Sequence, residues 1–329
     1  KLAEKEIDRR VKLSAGFVGL DESLLDISPF ELQVFVSLKY FEAEKCDLCV
    51  IECGMGGEYD ATNIFTPIAS VITTISLEHT SYLGRTISEI TLHKAGIIKF
   101  GVPVIIGQLE EDAITVISEK AKEENAIIHS SVEHSHVVLN SDGYTFDYLT
   151  YRDIHLNSMA LYSVYDAAIA LEVLAALNDQ LPITNEQIQA GFSSVDMNCR
   201  MSIVSKNPLI IIDGAHNPEG ITNLRKSLQN LNISTPIHVV FSCFTDKNLQ
   251  GMLASIGEVV EEIVLTTFDN PRARGLEDYF LFAEDHKFVE DPIEAINGIK
   301  NKYPNDTILV TGSLAFAGYV KKLFDEGRI

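Results

Sequence analysis

Val50-Ile51-Glu52-Cys53-Gly54-Met55-Gly56-Gly57-Glu58-Tyr59-Asp60-Ala61-Thr62-Asn63 joins an apolar run, Leu48 to Ile51, to a carboxylate, three glycines and a polar cluster. The run reads as a buried strand over 48–53. An acid at the carboxyl end of such a strand, followed by a turn that favours glycine, suits a metal or phosphate crevice in an open α/β sheet. A tight turn with a solvated Glu fits the same residues, and the flanking sequence has to decide between them.

Upstream, Ser28-Pro29-Phe30-Glu31 is a capping box with Pro at the first helical position, predicting a helix to about Ala43. Downstream, a strand is expected at 69–76 and a helix from the capping box Thr86-Ile87-Ser88-Glu89 to about Ile98. Strand 102–106, helix 111–125 and strand 126–129 continue the series. Such alternation predicts a mostly parallel sheet with covered faces. Residues 135–157 break it: Asn140-Ser141-Asp142-Gly143 is a turn between β-prone segments, so a hairpin-rich patch is expected. Helices follow at 162–177 and, from the box Thr184-x-x-Gln187, at 184–194. A second alternating series then has strands at 208–213, 237–243, 262–267, 287–290 and 307–311. Its helices are at 218–230, 247–259, 276–284, 292–301 and 314–325. The expected fold class is α/β, with two doubly wound, mostly parallel domains over 1–196 and 197–329.

A chain of 329 residues has room for two cores. No apolar run reaches membrane-span length, and Lys1-Leu2-Ala3-Glu4-Lys5 is not a signal peptide. The net charge of −21 argues against broad binding to nucleic acid or anionic lipid. An anionic ligand would need local cations or Mg²⁺. Five Cys without a framework point to a reducing cytoplasm. Cys46-x-x-Cys49 has no second pair for zinc, so core packing is expected there.

Four clusters carry chemistry. Glu52 is the first. The second is Leu77-Glu78-His79-Thr80, with His79 at a strand's carboxyl end, where a metal ligand and an ordinary loop histidine are both reasonable. The third is His93-Lys94-Ala95-Gly96-Ile97-Ile98-Lys99. Here Lys94 shares a helix face with Ile87, Ile90 and Ile97, which would carry it inward. In the fourth, Ile212-Asp213-Gly214-Ala215-His216-Asn217-Pro218, a buried strand empties onto a Pro-initiated helix whose free N–H groups suit an anion. His134-x-His136 has no third partner and reads as surface.

Together these motifs resemble the folylpolyglutamate synthase / dihydrofolate synthase family, within the Mur-type ATP-dependent amide ligases. The family pattern Glu-x-Gly-x-Gly-Gly-x-x-Asp-(Ala/Ser)-Thr-Asn is matched from Glu52 to Asn63. Leu83-Gly84-x-Thr86 and Lys94-Ala95-Gly96-Ile97-Ile98-Lys99 follow. So do Asp213-Gly214-Ala215-His216-Asn217-Pro218, Asp246-Lys247, Pro271-Arg272-Ala273 and Thr311-Gly312-Ser313-Leu314. The chain departs from the family at Glu78 (usually Asp), Asp166 (usually Asn) and Asn198-Cys199-Arg200 (usually Pro-Gly-Arg). The P-loop Gly-Thr-x-Gly-Lys-Gly-Ser does not occur in 1–329 and is expected upstream of Lys1. The first residue is not Met, and the chain reads as trimmed. Residues 1–329 alone are expected to hydrolyse ATP poorly, because the β- and γ-phosphates would lack their cradle.

The resemblance implies that ATP phosphorylates a pterin carboxylate, of folate or dihydropteroate, and that the amine of L-glutamate attacks the acyl phosphate. It implies Mg²⁺ on Glu52 and His79, and a carbamylated Lys94 supporting a second Mg²⁺. The plainer reading pairs Lys94 with Glu89 or with an ATP phosphate. It also implies nucleotide contacts from Arg200 and Asp213, glutamate contacts from His216 and Ser313, and catalytic roles for Lys94 and His216. The first domain would bind ATP and Mg²⁺ and the second, Rossmann-like, glutamate. The site would lie between them and require closure. A cytoplasmic monomer serving folate and one-carbon metabolism is expected. Three rival readings stand beside it. Against a nicotinamide dehydrogenase, Gly54-x-Gly56-Gly57 lacks the third spaced glycine of the dinucleotide fingerprint, and no helix is expected at once after it. A ligase of cell-wall precursors fits the Asp-Ala-Thr-Asn and Lys-Ala-Gly-Ile-Ile-Lys runs poorly. An inactive binding or scaffold homologue would follow if the P-loop were naturally missing.

Overall fold

The computed structural model describes residues 28–282 and 285–329. The chain divides into two compact units, one ending at Ser130 and the other spanning Ser131–Ile329. The boundary expected near 197 lies inside the second unit. The N-terminal Lys1–Lys5 segment lies outside the described residues, as do the last two positions of the helix expected at 276–284.

The first unit opens with α1 (Pro29–Glu44). Its capping box is formed: Ser28 Oγ accepts the Glu31 N–H at 3.2 Å, and Glu31 Oε2 accepts the Ser28 N–H at 2.7 Å. A three-stranded parallel sheet follows in the order β1 (Ser70–Ile72), β2 (Val104–Ile106), β3 (Ile128–Ser130). The short α2 (Thr80–Leu83), α3 (Ile87–Ala95) and α4 (Glu111–Glu123) complete the unit. Ile72, Ile90, Val104, Ile106 and Ile117 form its core, and burying each such side chain contributes about 1.5–3 kcal/mol.

Two expectations fail here. Leu48–Cys53 forms no strand, and Val50 is 91% exposed. An apolar run becomes a strand only when its backbone groups find a ladder. β1 pairs with β2 alone, and no described strand pairs with 48–53. Cys46 and Cys49 are likewise exposed, not core. They follow the left-handed Lys45 (φ 56°) that ends α1, where the Cys46 N–H returns to the Phe41 carbonyl at 3.1 Å.

The second unit begins with an antiparallel meander of β4 (Ser135–Leu139), β5 (Tyr144–Tyr148) and β6 (Tyr151–Leu156). The expected turn is present, with the Asn140 N–H donating to the Gly143 carbonyl at 2.7 Å. Gly143 has φ +151°, and a Cβ there would strike the Leu156 carbonyl. The inner face, Tyr144, Phe146, Tyr148, Ile154 and Leu156, packs on α5 (Tyr162–Ala176) and α6 (Asn185–Ser194). His134 is not the surface residue expected. It precedes β4, sits edge-on to Tyr165 at 4.7 Å, and its Nδ1 is buried. His136 is exposed and pairs with Asp147 at 2.9 Å.

Six further strands form the main sheet: β7 (Ser202–Lys206), β8 (Leu209–Ile212), β9 (Ile237–Phe241), β10 (Glu262–Leu265), β11 (Lys287–Phe288) and β12 (Thr307–Thr311). Their order is β11-β10-β9-β12-β8-β7, all parallel except β7, which is antiparallel to β8. Alternate strand residues serve opposite faces. Ile211, Val239, Leu265 and Leu309 face α7 (Pro218–Asn230) and α8 (Leu249–Gly257). Ile210, Ile212, Val240, Val264, Ile308 and Val310 face α9 (Pro292–Lys302) and α10 (Leu314–Asp325). The sequence reading missed β7, whose residues are half-exposed. The helix expected at 276–284 is a 3₁₀ helix, Leu276–Phe282. It drives the buried Tyr279 toward β9, where the Cys243 N–H meets its hydroxyl at 3.4 Å. No described helix is long and apolar enough to cross a membrane.

Candidate functional site

In the first unit the quoted motif folds as a loop onto the end of α3. Asp60 staples it. Its Oδ2 accepts the Met55 N–H at 2.8 Å, and its Oδ1 accepts the Thr62 N–H at 3.0 Å and the Thr62 hydroxyl at 2.6 Å. Burial would raise this carboxyl, but the bonds from Thr62, Met55 and Gly54 outweigh it and hold it below the usual carboxylate range. The Glu58 N–H donates to the His93 carbonyl at 2.8 Å, and Asn63 Nδ2 donates to the Gly96 carbonyl at 3.1 Å. Gly57 lies directly on the helix: a Cβ would stand 2.7 Å from the Lys94 carbonyl oxygen and 2.8 Å from that of His93. The glycine is there for close packing onto the turn that carries Lys94, and Gly56 alone supplies the left-handed turn (φ +71°).

Glu52 is exposed on the irregular segment before this loop. His79 is exposed at the N-cap of α2 with φ 51°. Lys94 is half-buried rather than drawn inside. The structure removes Glu89 as its partner, because Glu89 Oε2 is occupied at the other end of α3 by the Arg85 and Thr86 N–H groups, at 2.6 and 3.1 Å. Among the described residues no three His, Cys, Asp or Glu side chains gather as a metal site. One carboxylate and one imidazole suit Mg²⁺ only if phosphate oxygens and water complete its octahedron, which is how Mg²⁺ is usually held beside nucleotides.

In the second unit, β8 is followed directly by Asp213, which is buried. Its Oδ2 accepts the Tyr162 hydroxyl at 2.6 Å and the Met201 N–H at 3.0 Å; its Oδ1 accepts the Ala215 N–H at 2.8 Å. Burial pushes this carboxyl up, against those bonds and the Arg200 charge. Burial and the Asp213 charge push the Tyr162 phenol up as well. His216 Nδ1 lies 3.2 Å from the Gly214 carbonyl. Asn217 caps α7 by accepting the Gly220 N–H at 2.6 Å. Ser313, also buried, caps α10 by accepting the Phe316 N–H at 3.1 Å. Two separated motifs meet where Arg272 pairs with Asp246 at 3.0 Å while lying over the Phe244 ring at 4.3 Å. Sequence reasoning missed Tyr162, whose partner is 51 residues away and leaves no local signal.

The model of the Mur ligase glutamate ligase domain matches residues 199–314. The dihydrofolate synthase/folylpolyglutamate synthase of Bacillus subtilis (strain 168) is 32% identical over 307 residues, covering 89% of this chain and 71% of that protein. The chain belongs to the folylpolyglutamate synthase / dihydrofolate synthase family. A second member, the folylpolyglutamate synthase of Lacticaseibacillus casei, is 32% identical over 313 residues, covering 92% of this chain and 73% of that one. Among solved structures of the family, the Mycobacterium tuberculosis folylpolyglutamate synthase complexed with ADP and AMPPCP superposes with a TM-score of 0.82 at 27% identity, over 91% of this chain and 73% of that chain. The FPGS-AMPPCP-folate complex gives 0.79 at 29% identity, over 92% and 72%. The two-unit, mostly parallel α/β architecture is that of these enzymes.

Proposed function

We propose that this chain joins L-glutamate to the carboxylate of a folate or dihydropteroate at the expense of ATP. One observation carries the reading: the family's motifs recur in order along nearly the whole chain, on loops at the ends of parallel strands in unit 2 and on the loop bound to α3 in unit 1. A carboxylate is a poor electrophile until one oxygen becomes a leaving group. Transfer of the γ-phosphoryl to it gives an acyl phosphate and ADP; the glutamate amine then attacks the carbonyl carbon and phosphate leaves. Such transfer needs positioning and charge neutralisation.

Glu52 and His79 would hold Mg²⁺, with a carbamate on Lys94 for a second, and the metal would neutralise phosphate charge. Arg200 would meet the nucleotide, together with Asp213. His216 and Ser313 would receive glutamate, with the ligase C-terminal domain beginning near residue 197. The protein would act as a monomer in the cytoplasm. The scaffold alternative draws no support, since both relatives carry synthase names. The test is release of ADP by the full-length enzyme with dihydropteroate, folate or tetrahydrofolate, with and without glutamate. Release that depends on both a pterin and glutamate is expected. Its absence with every pterin would reject the proposal.

A further inference from the structure

The loops of Asp213 and Ser313 follow the carboxyl ends of β8 and β12. At the amino ends of the same two strands lies an open cleft of about 460 Å³. Pockets that hold small molecules span roughly 300–1,000 Å³. Three connections wall the cleft: the 206–208 turn between β7 and β8, the 231–235 segment between α7 and β9, and residues 304–305 ahead of β12. Its floor is apolar. Met159, Leu209, Leu231 and Ile233 line it, each half-buried and packed on the core beneath. Such a floor suits the apolar body of a ligand, because removing apolar area from water is favourable roughly in proportion to its size.

Charge narrows the choice of ligand. The chain carries 47 acidic and 26 basic residues, yet among the described residues lining the cleft the one charged side chain is a lysine, Lys206. Lys206 is exposed and has no ion-pair partner among the described residues. Asp306 sits between two lining residues in sequence but is not itself in the wall. Its Oδ2 lies 2.9 Å from His238 Nε2, and Glu262 stands 3.6 Å from the other nitrogen of that ring. Thr235 and Thr307, both in the wall, share a hydroxyl–hydroxyl bond of 2.8 Å, which uses one hydroxyl hydrogen and leaves the other to donate. The field of a chain with net charge −21 opposes anions, so a wall free of carboxylates is what an anionic ligand requires.

We propose that this cleft is a binding site for a small monocarboxylate with an apolar body, the body on the Leu209–Leu231–Ile233 floor and the carboxylate on Lys206. It goes beyond the ligase reading and does not rest on it. The elements that form the cleft also carry the ligand loops. Leu209 opens β8, Thr307 opens β12, and Leu231 caps the helix α7 that starts beyond Asn217. A ligand held here therefore stabilises that framework by mass action.

The test uses the full-length enzyme, with naphthoate as probe and naphthamide as its uncharged isostere, in isothermal titration and in NMR of methyl-labelled Leu and Ile. Naphthoate should bind with a Kd of about 1 mM or below. It should shift the methyls of Leu209, Leu231 and Ile233 most strongly and those of Ile221 and Leu314, near the ligand loops, least. Naphthamide should bind roughly tenfold more weakly, since a charge-assisted hydrogen bond is lost. Lys206→Gln should weaken naphthoate by about the same factor and leave naphthamide unaffected. Its melting temperature without probe should match wild type, because the side chain is exposed and unpaired. Asn232→Asp places a carboxylate in the wall at a left-handed position, φ 49°, that Asp also tolerates, and should weaken naphthoate as well. No binding at roughly ten times the expected Kd would overturn the proposal. So would equal affinities for naphthoate and naphthamide, a Lys206→Gln variant that binds naphthoate like wild type, or shifts centred on Ile221 and Leu314.

Discussion

Gly57 has no room for even a methyl group: two backbone carbonyls stand within 2.8 Å of where its Cβ would be. Gly57→Ala must move the loop or the end of α3, and overpacking of this kind costs about 1–3 kcal/mol. A drop in thermal midpoint together with loss of ligase activity is expected; an unchanged midpoint would show that the loop yields freely. Asp60 ties the same loop through charge. Its carboxyl is held below its unfolded value, so its contribution to stability is present above the ordinary Asp range, near pH 3.9, and is lost as pH falls through the lower folded value. Urea midpoints of wild type should therefore fall between pH 6 and pH 3 more steeply than those of Asp60→Asn; parallel curves would remove Asp60 as the staple. Ser313→Ala needs two readouts, because the cap alone is worth about 1 kcal/mol. A rise in the KM for glutamate larger than the stability loss explains would support a ligand contact, and a lower midpoint with unchanged KM would leave Ser313 a cap only. The sequence displayed these residues as a motif. It could not display why Gly57 or Tyr162 is needed, because each answers to a partner far along the chain.

At the scale of elements, what is local was legible. The boxes at Ser28, Thr86 and Thr184 all form, because a side chain and an amide three residues apart carry the whole interaction. Thr86→Ala should cost about 1 kcal/mol and Thr86→Ser almost nothing, measured by chemical denaturation; equal effects would mean the cap is not what holds the start of α3. Strands were less legible, since a strand is a statement about its neighbour. The segment 48–53 looked more strand-like than β7, yet β7 is paired, from Ser202 against Ile212 to Lys206 against Leu209, and 48–53 is not. The 3₁₀ helix at Leu276–Phe282 was read as α because its composition suits both, and the position of Tyr279 in the core decides.

For the molecule as a whole, the net charge of −21 opposes the approach of ATP. Salt shortens the reach of that field from about 30 Å at 0.01 M to about 8 Å at 0.15 M, while a ligand already in contact with a local cation feels it less. The association rate for an ATP analogue, followed by stopped flow with Mg²⁺ held constant, should rise across this range; a steady fall would show that local cations dominate from a distance. The charge and the doubly wound pattern of the second sheet were both plain in the sequence, whereas the place of its late strand was not. β12 inserts between β9 and β8, pairing Leu309 with Val239 on one side and with Ile211 on the other. A message interrupted between Phe288 and Thr307 therefore does not yield a slightly shortened protein. It yields two ribbons with bare inner edges, each a template for pairing with other chains, so premature stop codons in that interval should behave genetically as complete losses and leave aggregates rather than weakened enzyme.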